Sequence, residues 1–441
     1  MSQAEATNGR VPRRKRHQPL IRSSFSLSVS AGIAAFGGFI FWLLVAHVAP
    51  TQTVGKAAAL FSSIQFVNYA TGLGLPVAVA RFGGGRSRDP SVLFNWSIVL
   101  TVASSFVGAA LYFVFVPHEL HALSALGAVG AVLIFGLIVG GISVGTVLDI
   151  RLIGQHRRGW VVGRAVFIAL VRMPLLLVPG LGKSIIFIFL VAAGAPALAG
   201  FGGWFIADVC DGRFSLPLRP LPADARPAFT YAMVNGAAQL ALQAPFYAFP
   251  VIVLLLVSAR ANASFYVAWT IATVVFLIVQ SIGQALLVEG NRSGRLESQT
   301  RTALQFGVAL GIVLAVICAI GSRVIPLLYG SSYTPGARIL PVLGVAVIPW
   351  AVYSIIVSAA RVHHGGHTRN LLLSSLFAVS IIGPAAFLVH KYGIQGAADG
   401  WLFGNTVSAL TAVLVMRKLL RSRPGDEIAR PMATQSGPPV A

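Results

Sequence analysis

The chain has 441 residues, 56% of them hydrophobic and 10% charged, with a mean hydropathy of +0.80. A soluble domain carries roughly 25% charged residues, and one or two aqueous cores cannot hide this much apolar surface, so lipid is the solvent. The net charge of +21 sits in short connections between apolar runs, with no long basic face or aromatic platform, which excludes nucleic acid as a partner.

A helical crossing needs ~20 mostly apolar residues. After a basic tail, 1–24, the sequence predicts spans at 25–49, 54–80, 92–116, 123–148, 160–181 and 184–208, then 228–257, 264–288, 302–322, 338–360, 370–390 and 394–416, and a second basic tail, 417–441. The first span is longer than a leader's apolar core and a second follows at once, so it reads as a retained membrane helix. In span 4, Gly136, Gly140, Gly141 and Gly145 predict close helix packing. Segment 323–337, with Tyr329 and Tyr333, is too short and polar to cross and is expected at the outer surface.

Basic residues fix the orientation. Counted by connection, 26 Lys and Arg fall on the side of the two tails and 6 on the other, with Arg172 inside span 5. The rich side, including both termini, is expected to be cytoplasmic. The longest cytoplasmic connection, 209–227, holds four prolines and reads as a linker between an N-lobe, 25–208, and a C-lobe, 228–416. The expectation is all-α: about twelve transmembrane helices in two six-helix lobes. Glycine and amide spacing aligns Gly74 in span 2 with Gly283 in span 8 and suggests a parallel repeat about an axis along the membrane normal.

Polar residues inside spans mark function. Asp149, Asp208, Glu289 and Asp399 lie at or near span ends, so no span holds a central carboxylate of the kind a cation-coupled exporter uses. Arg172 falls about eight residues inside span 5, roughly 12 Å deep. It needs a wet cavity with an anionic partner, or helix carbonyls freed by a proline such as Pro174. Arg164, two turns earlier, would border the same cavity. In span 7, Tyr231, Asn235, Gln239, Gln243 and Tyr247 recur at every fourth position and share one helix face. The row either lines a water-filled cavity, where amides suit sugar hydroxyls, or bonds neighbouring helices. Gln280 and Gln284 in span 8 are lesser candidates.

His363, His364 and His367 share an inner loop without acidic or thiol ligands, and no nucleotide-binding, nucleophile-elbow or zinc-hydrolase motif is present. No metal, cofactor or catalytic residue is predicted. Cys210 and Cys318 read as small buried apolar side chains near opposite faces.

Three stretches together carry a resemblance. They are Phe41-Trp42-Leu43-Leu44-Val45-Ala46 through Gly72-Leu73-Gly74 to Ala80-Arg81-Phe82; Ile325-Pro326-Leu327-Leu328-Tyr329-Gly330 to Tyr333; and Tyr392-Gly393-Ile394-Gln395-Gly396-Ala397-Ala398. The set resembles the bacterial polysaccharide transporters, the O-antigen and teichoic-acid-type flippases, which share a superfamily with multidrug-and-toxin-extrusion exporters. The resemblance implies twelve helices around a cationic cavity in the bacterial plasma membrane. It implies transport of an undecaprenyl-diphosphate-linked oligosaccharide to the outer leaflet for cell-surface polysaccharide synthesis, with membrane lipids and polysaccharide-assembly enzymes as partners. Arg172, Arg164 and Arg81 would then attract the diphosphate and the span 7 row would hydrate the sugars. Relatives often carry an acidic residue near the outer end of span 7, where 251–257 is wholly apolar here. A cation-coupled multidrug exporter and a membrane enzyme of polysaccharide assembly are the alternatives. The first predicts a buried acid; the second predicts a large outer loop or a His/Asp cluster.

Overall fold

The computed structural model describes residues 18–82, 90–116, 123, 126–155, 157–176, 178, 180–210, 220, 226–293, 296–361 and 366–421. Their side chains are described except at 18–31, 90, 158, 175, 226, 284–293, 296–297, 366–367 and 418–421. His363 and His364, residues 1–17 and 422–441 of the two tails, and nearly all of 209–227 lie outside these residues.

The helices are α1 Gln18–Val48, α2 Thr51–Thr71, α3 Leu75–Phe82, α4 Pro90–Phe115, α5 Gly127–Gly154, α6 Arg158–Leu176 and α7 Ile185–Trp204, continued by a π-helical turn, Phe205–Val209. They continue with α8 Arg226–Leu256, α9 Ala259–Ser293, α10 Leu296–Gly321, α11 Ile325–Tyr329, α12 Thr334–Val345, α13 Val347–Ala360 and α14 Gly366–Arg421. Seven are long and apolar enough to cross a bilayer, and α12 with α13, bent by 43°, makes an eighth. The chain is an all-α polytopic membrane protein. With α2 and α3 taken as one broken segment, α12 and α13 as one bent pair, α14 as two and the five-residue α11 set aside, the described residues form twelve helical segments in the predicted order.

One predicted span is broken, and two predicted spans are joined in one long helical element. Span 2 is not one helix: Leu73 (φ 49°) and Gly74 (φ 64°) break it into α2 and α3. Spans 11 and 12 are the two halves of α14, separated at Gly393 (φ 60°, ψ −138°). There the chain doubles back, and the Ser380 and Ser408 hydroxyls meet at 2.8 Å across the halves.

The chain divides into two compact units, Met1–Leu240 and Ala241–Ala441, and the division falls within α8. In the first unit, α5 packs on α7 through the predicted glycines. A Cβ on Gly141 would stand 2.8 Å from Ala197 Cα, and one on Gly145 3.2 Å from Gly200 Cα. The second unit is built around rings. Trp401 meets Trp269 edge-on at 4.7 Å, Trp269 stacks on Phe249 at 5.4 Å, and Tyr353 stacks on Phe377 at 4.8 Å. Such pairs add ~0.5–1.5 kcal/mol each beyond burial. Proline chemistry helps place them. Pro250 has no N–H to give Phe246 O, one helical turn earlier, and Trp269 Nε1 donates to that carbonyl at 3.1 Å.

Segment 323–337 forms α11, a 3₁₀ turn and the start of α12, with the Tyr329 and Tyr333 rings buried 5.5 Å apart. Ser264 holds it: its Oγ accepts from Gly336 N at 2.7 Å and donates to Tyr333 O at 3.2 Å. Cys318 is buried as expected, but Cys210 is exposed. It lies just past the π-helical turn, as its C-cap residue.

Candidate functional site

The predicted site residues fall into separate places. Arg164 and Arg172, both on α6, line one cavity of about 270 Å³ with Asp149 and the α1 glycines Gly37 and Gly38. Arg164 donates from Nε to Asp149 Oδ1 at 2.9 Å and from Nη2 to Oδ2. This fork is the strong geometry for a guanidinium and a carboxylate. Gly145 makes room for it, since a Cβ there would stand 2.7 Å from Arg164 Nη1.

Arg172 is buried. Helix α6 ends at Leu176, four residues on, so Arg172 sits about 6 Å from the helix end. Its Nη2 donates to Ala192 O on α7, and its guanidinium lies 5.7 Å from the Phe41 ring and 6.0 Å from the Phe61 ring. A proline does free the carbonyl, but on the neighbouring helix. Pro196 lies inside α7, four residues after Ala192, and has no N–H to give it.

Arg81, at the end of α3, is exposed, with its guanidinium 4.4 Å above the Tyr231 ring. Phe82 meets the same ring edge-on at 5.8 Å. Asn235 turns inward on its own helix, its Nδ2 donating to Tyr231 O at 2.8 Å. Gln243 and Tyr247 are half-buried in the second unit. The side chains of the span 7 row fan out around α8, because a four-residue repeat drifts around a 3.6-residue helix. Gln280 is half-buried, and the Gln284 side chain lies outside the described residues.

Gln239 does reach a cavity. About 310 Å³ of space lies against the α2–α3 break, lined by Asn68, Tyr69, Thr101, Ser143, Thr146 and Gln239 among others. Ser143 Oγ donates to Asn68 Oδ1. The break lies against α8: a Cβ on Gly74 would stand 2.6 Å from Gly236 N. Sequence reasoning missed Asn68, Thr101 and Ser143 as cavity residues. The available signal was the pair Gly72 and Gly74 beside an amide in an otherwise apolar run.

One carboxylate near a span end is more buried than its position suggested. Asp208, in the π-helical turn, is 2% exposed and pairs with Arg151 at 2.7 Å. The Arg151 guanidinium lies 4.0 Å from the Phe94 ring. Thus Asp149 and Asp208 each carry an arginine partner. Among the described residues no cluster of three potential metal ligands occurs.

No family model and no curated protein matches the sequence. Solved structures do match. A multidrug resistance MATE family transporter of the MOP superfamily in an inward-facing conformation shares 15% identity, with a TM-score of 0.67, over 90% of this chain and 98% of that one. An outward-facing structure described in the same words gives 14% identity, a TM-score of 0.62 and coverage of 91% and 95%. A MATE crystal structure in a bent conformation gives the same four values. At this identity the likeness is one of fold, and it extends over nearly the whole of both chains.

Proposed function

We propose that the chain is an alternating-access transporter that carries an undecaprenyl-diphosphate-linked oligosaccharide from the inner to the outer leaflet of a bacterial plasma membrane. The observation that carries this reading is the α6 cavity, whose lining holds two guanidiniums against one carboxylate. A buried excess of positive charge suits an anionic head group. The match of one fold to both inward-facing and outward-facing MATE structures supports alternating access. An inside-negative potential favours outward movement of negative charge by ~2.3 kcal/mol per charge per 100 mV.

The second reading is a cation-coupled multidrug exporter, which the multidrug MATE structures favour. That chemistry needs a carboxylate able to take up the coupling ion. In the first unit Asp149 and Asp208 are each held by an arginine, which weighs toward the anionic cargo. The two readings separate in liposomes. The flippase reading expects leaflet exchange of a fluorescent polyprenyl-diphosphate glycolipid, slowed about tenfold or more by Arg172→Ala. Gradient-driven efflux of an organic cation with no glycolipid exchange would replace it with the exporter reading.

A further inference from the structure

The α6 cavity has a chemical counterpart in the cavity at the α2–α3 break. None of the residues lining the second cavity is ionised at neutral pH. Its polar groups are amides and hydroxyls, and Pro76, Val77 and Val147 supply apolar patches between them. At about 310 Å³ it reaches the ~300 Å³ at which small-molecule pockets begin, which is far more space than one dehydrated cation fills.

Thr101 supplies the second observation. The residue is fully buried, and its Oγ1 has no hydrogen-bond partner among the described residues. A buried hydroxyl is ordinarily bonded, so a cavity-lining hydroxyl without a partner marks a position where a ligand or water belongs. Asn68 is already oriented, because Ser143 engages its Oδ1. Gln239 brings a second amide, with both donors and an acceptor, from α8. Alternating donors and acceptors around apolar patches match a pyranose ring, with hydroxyls at its edge and C–H bonds on its faces.

We infer that this cavity is a subsite for one uncharged sugar ring of the cargo, and that it selects against a sugar bearing a charge. The inference deepens the flippase reading and rests on it for the identity of the cargo. A uronate or amino sugar here would lose water without gaining a counter-charge. The α6 cavity and this one thereby divide a glycolipid head between them, diphosphate to the first and first sugars to the second.

The test uses the full chain in liposomes with three fluorescent polyprenyl-diphosphate lipids, bearing no sugar, one N-acetylhexosamine or one hexuronic acid. Wild type is expected to move the neutral glycolipid fastest. Thr101→Val and Gln239→Leu should each lower that rate about five- to tenfold and leave the sugar-free lipid unchanged, while Thr101→Ser keeps the preference. Variants that retain wild-type preference for the neutral sugar would overturn the subsite, as would equal rates for neutral and acidic glycolipids. A binding measurement separates the subsite from the transport reading. In a Thr146→Cys variant in detergent, methyl glucoside should slow maleimide labelling of the new thiol, and methyl glucuronate should not. Protection without lipid exchange would remove the flippase reading and keep the subsite. Absence of protection would remove the subsite whatever the lipids do.

Discussion

Pro196 and Arg172 sit on different helices, and each accounts for the other. A proline inside α7 leaves Ala192 O without its helical donor, and a buried guanidinium needs an acceptor. The Arg172 Nη2 bond to Ala192 O meets both needs. A hydrogen bond to a charged group contributes ~1.5–3 kcal/mol. Pro196→Ala returns an N–H that competes for the carbonyl, so the two positions should couple. Arg172→Met is expected to lower the melting temperature in detergent by less in the Pro196→Ala background than in wild type. Additive effects across the four proteins would show that the bond contributes nothing. The sequence made Arg172 and its need for a partner plain. It did not reveal which proline answers that need, because the pairing depends on how α6 and α7 are rotated against each other. Likewise, Asp149 and Arg164 stand near span ends in the sequence, but only the α5–α6 packing shows that they meet.

At the scale of elements, the largest departure from a hydropathy reading is the α2–α3 break. Residues 54–80 are mostly apolar and long enough for a crossing, so the sequence reads as one span. Two glycines in a membrane helix more often mark close packing than a break. Here Gly74 does both, with a positive φ and a close approach to α8. Any Cβ would meet the α8 backbone at Gly236, which cannot swing aside as a flexible side chain can. Gly74→Ala is therefore expected to lower the melting temperature and the folded yield sharply, by an amount in the ~1–3 kcal/mol range of local backbone strain or more. Gly194→Ala in α7 serves as the comparison, since a Cβ there meets nothing within 4 Å. That change should be neutral or slightly stabilising, because alanine is the better helix former. Similar losses from both substitutions would mean that glycine at 74 is not needed for the packing. The α14 turn was easier to read, because Tyr392-Gly393 divides a run far longer than one crossing needs.

For the whole molecule, the charge asymmetry carries more information than any single helix. Twelve crossings alternate the connections between two faces, and a missing or extra one would mix the basic and non-basic groups that 26 and 6 Lys and Arg keep apart. The broken α2–α3 segment and the bent α12–α13 pair alter shapes within that order, so the sequence predicts the order of segments better than their shapes. The native thiols test the orientation without any substitution. Cys210 is exposed beyond α7, within the connection 209–227 that the charge pattern assigns to the cytoplasm, whereas Cys318 is buried in α10. A membrane-impermeant maleimide should label inside-out vesicles rapidly and to about one thiol per chain, and Cys210→Ser should abolish that labelling. Right-side-out vesicles should label only after they are made permeable, and the Cys318 thiol only after denaturation. Rapid labelling of Cys210 in sealed right-side-out vesicles would place the connection after the sixth segment outside. The positive face would then be external, and the outward drive on an anionic cargo would act on the opposite side of the fold.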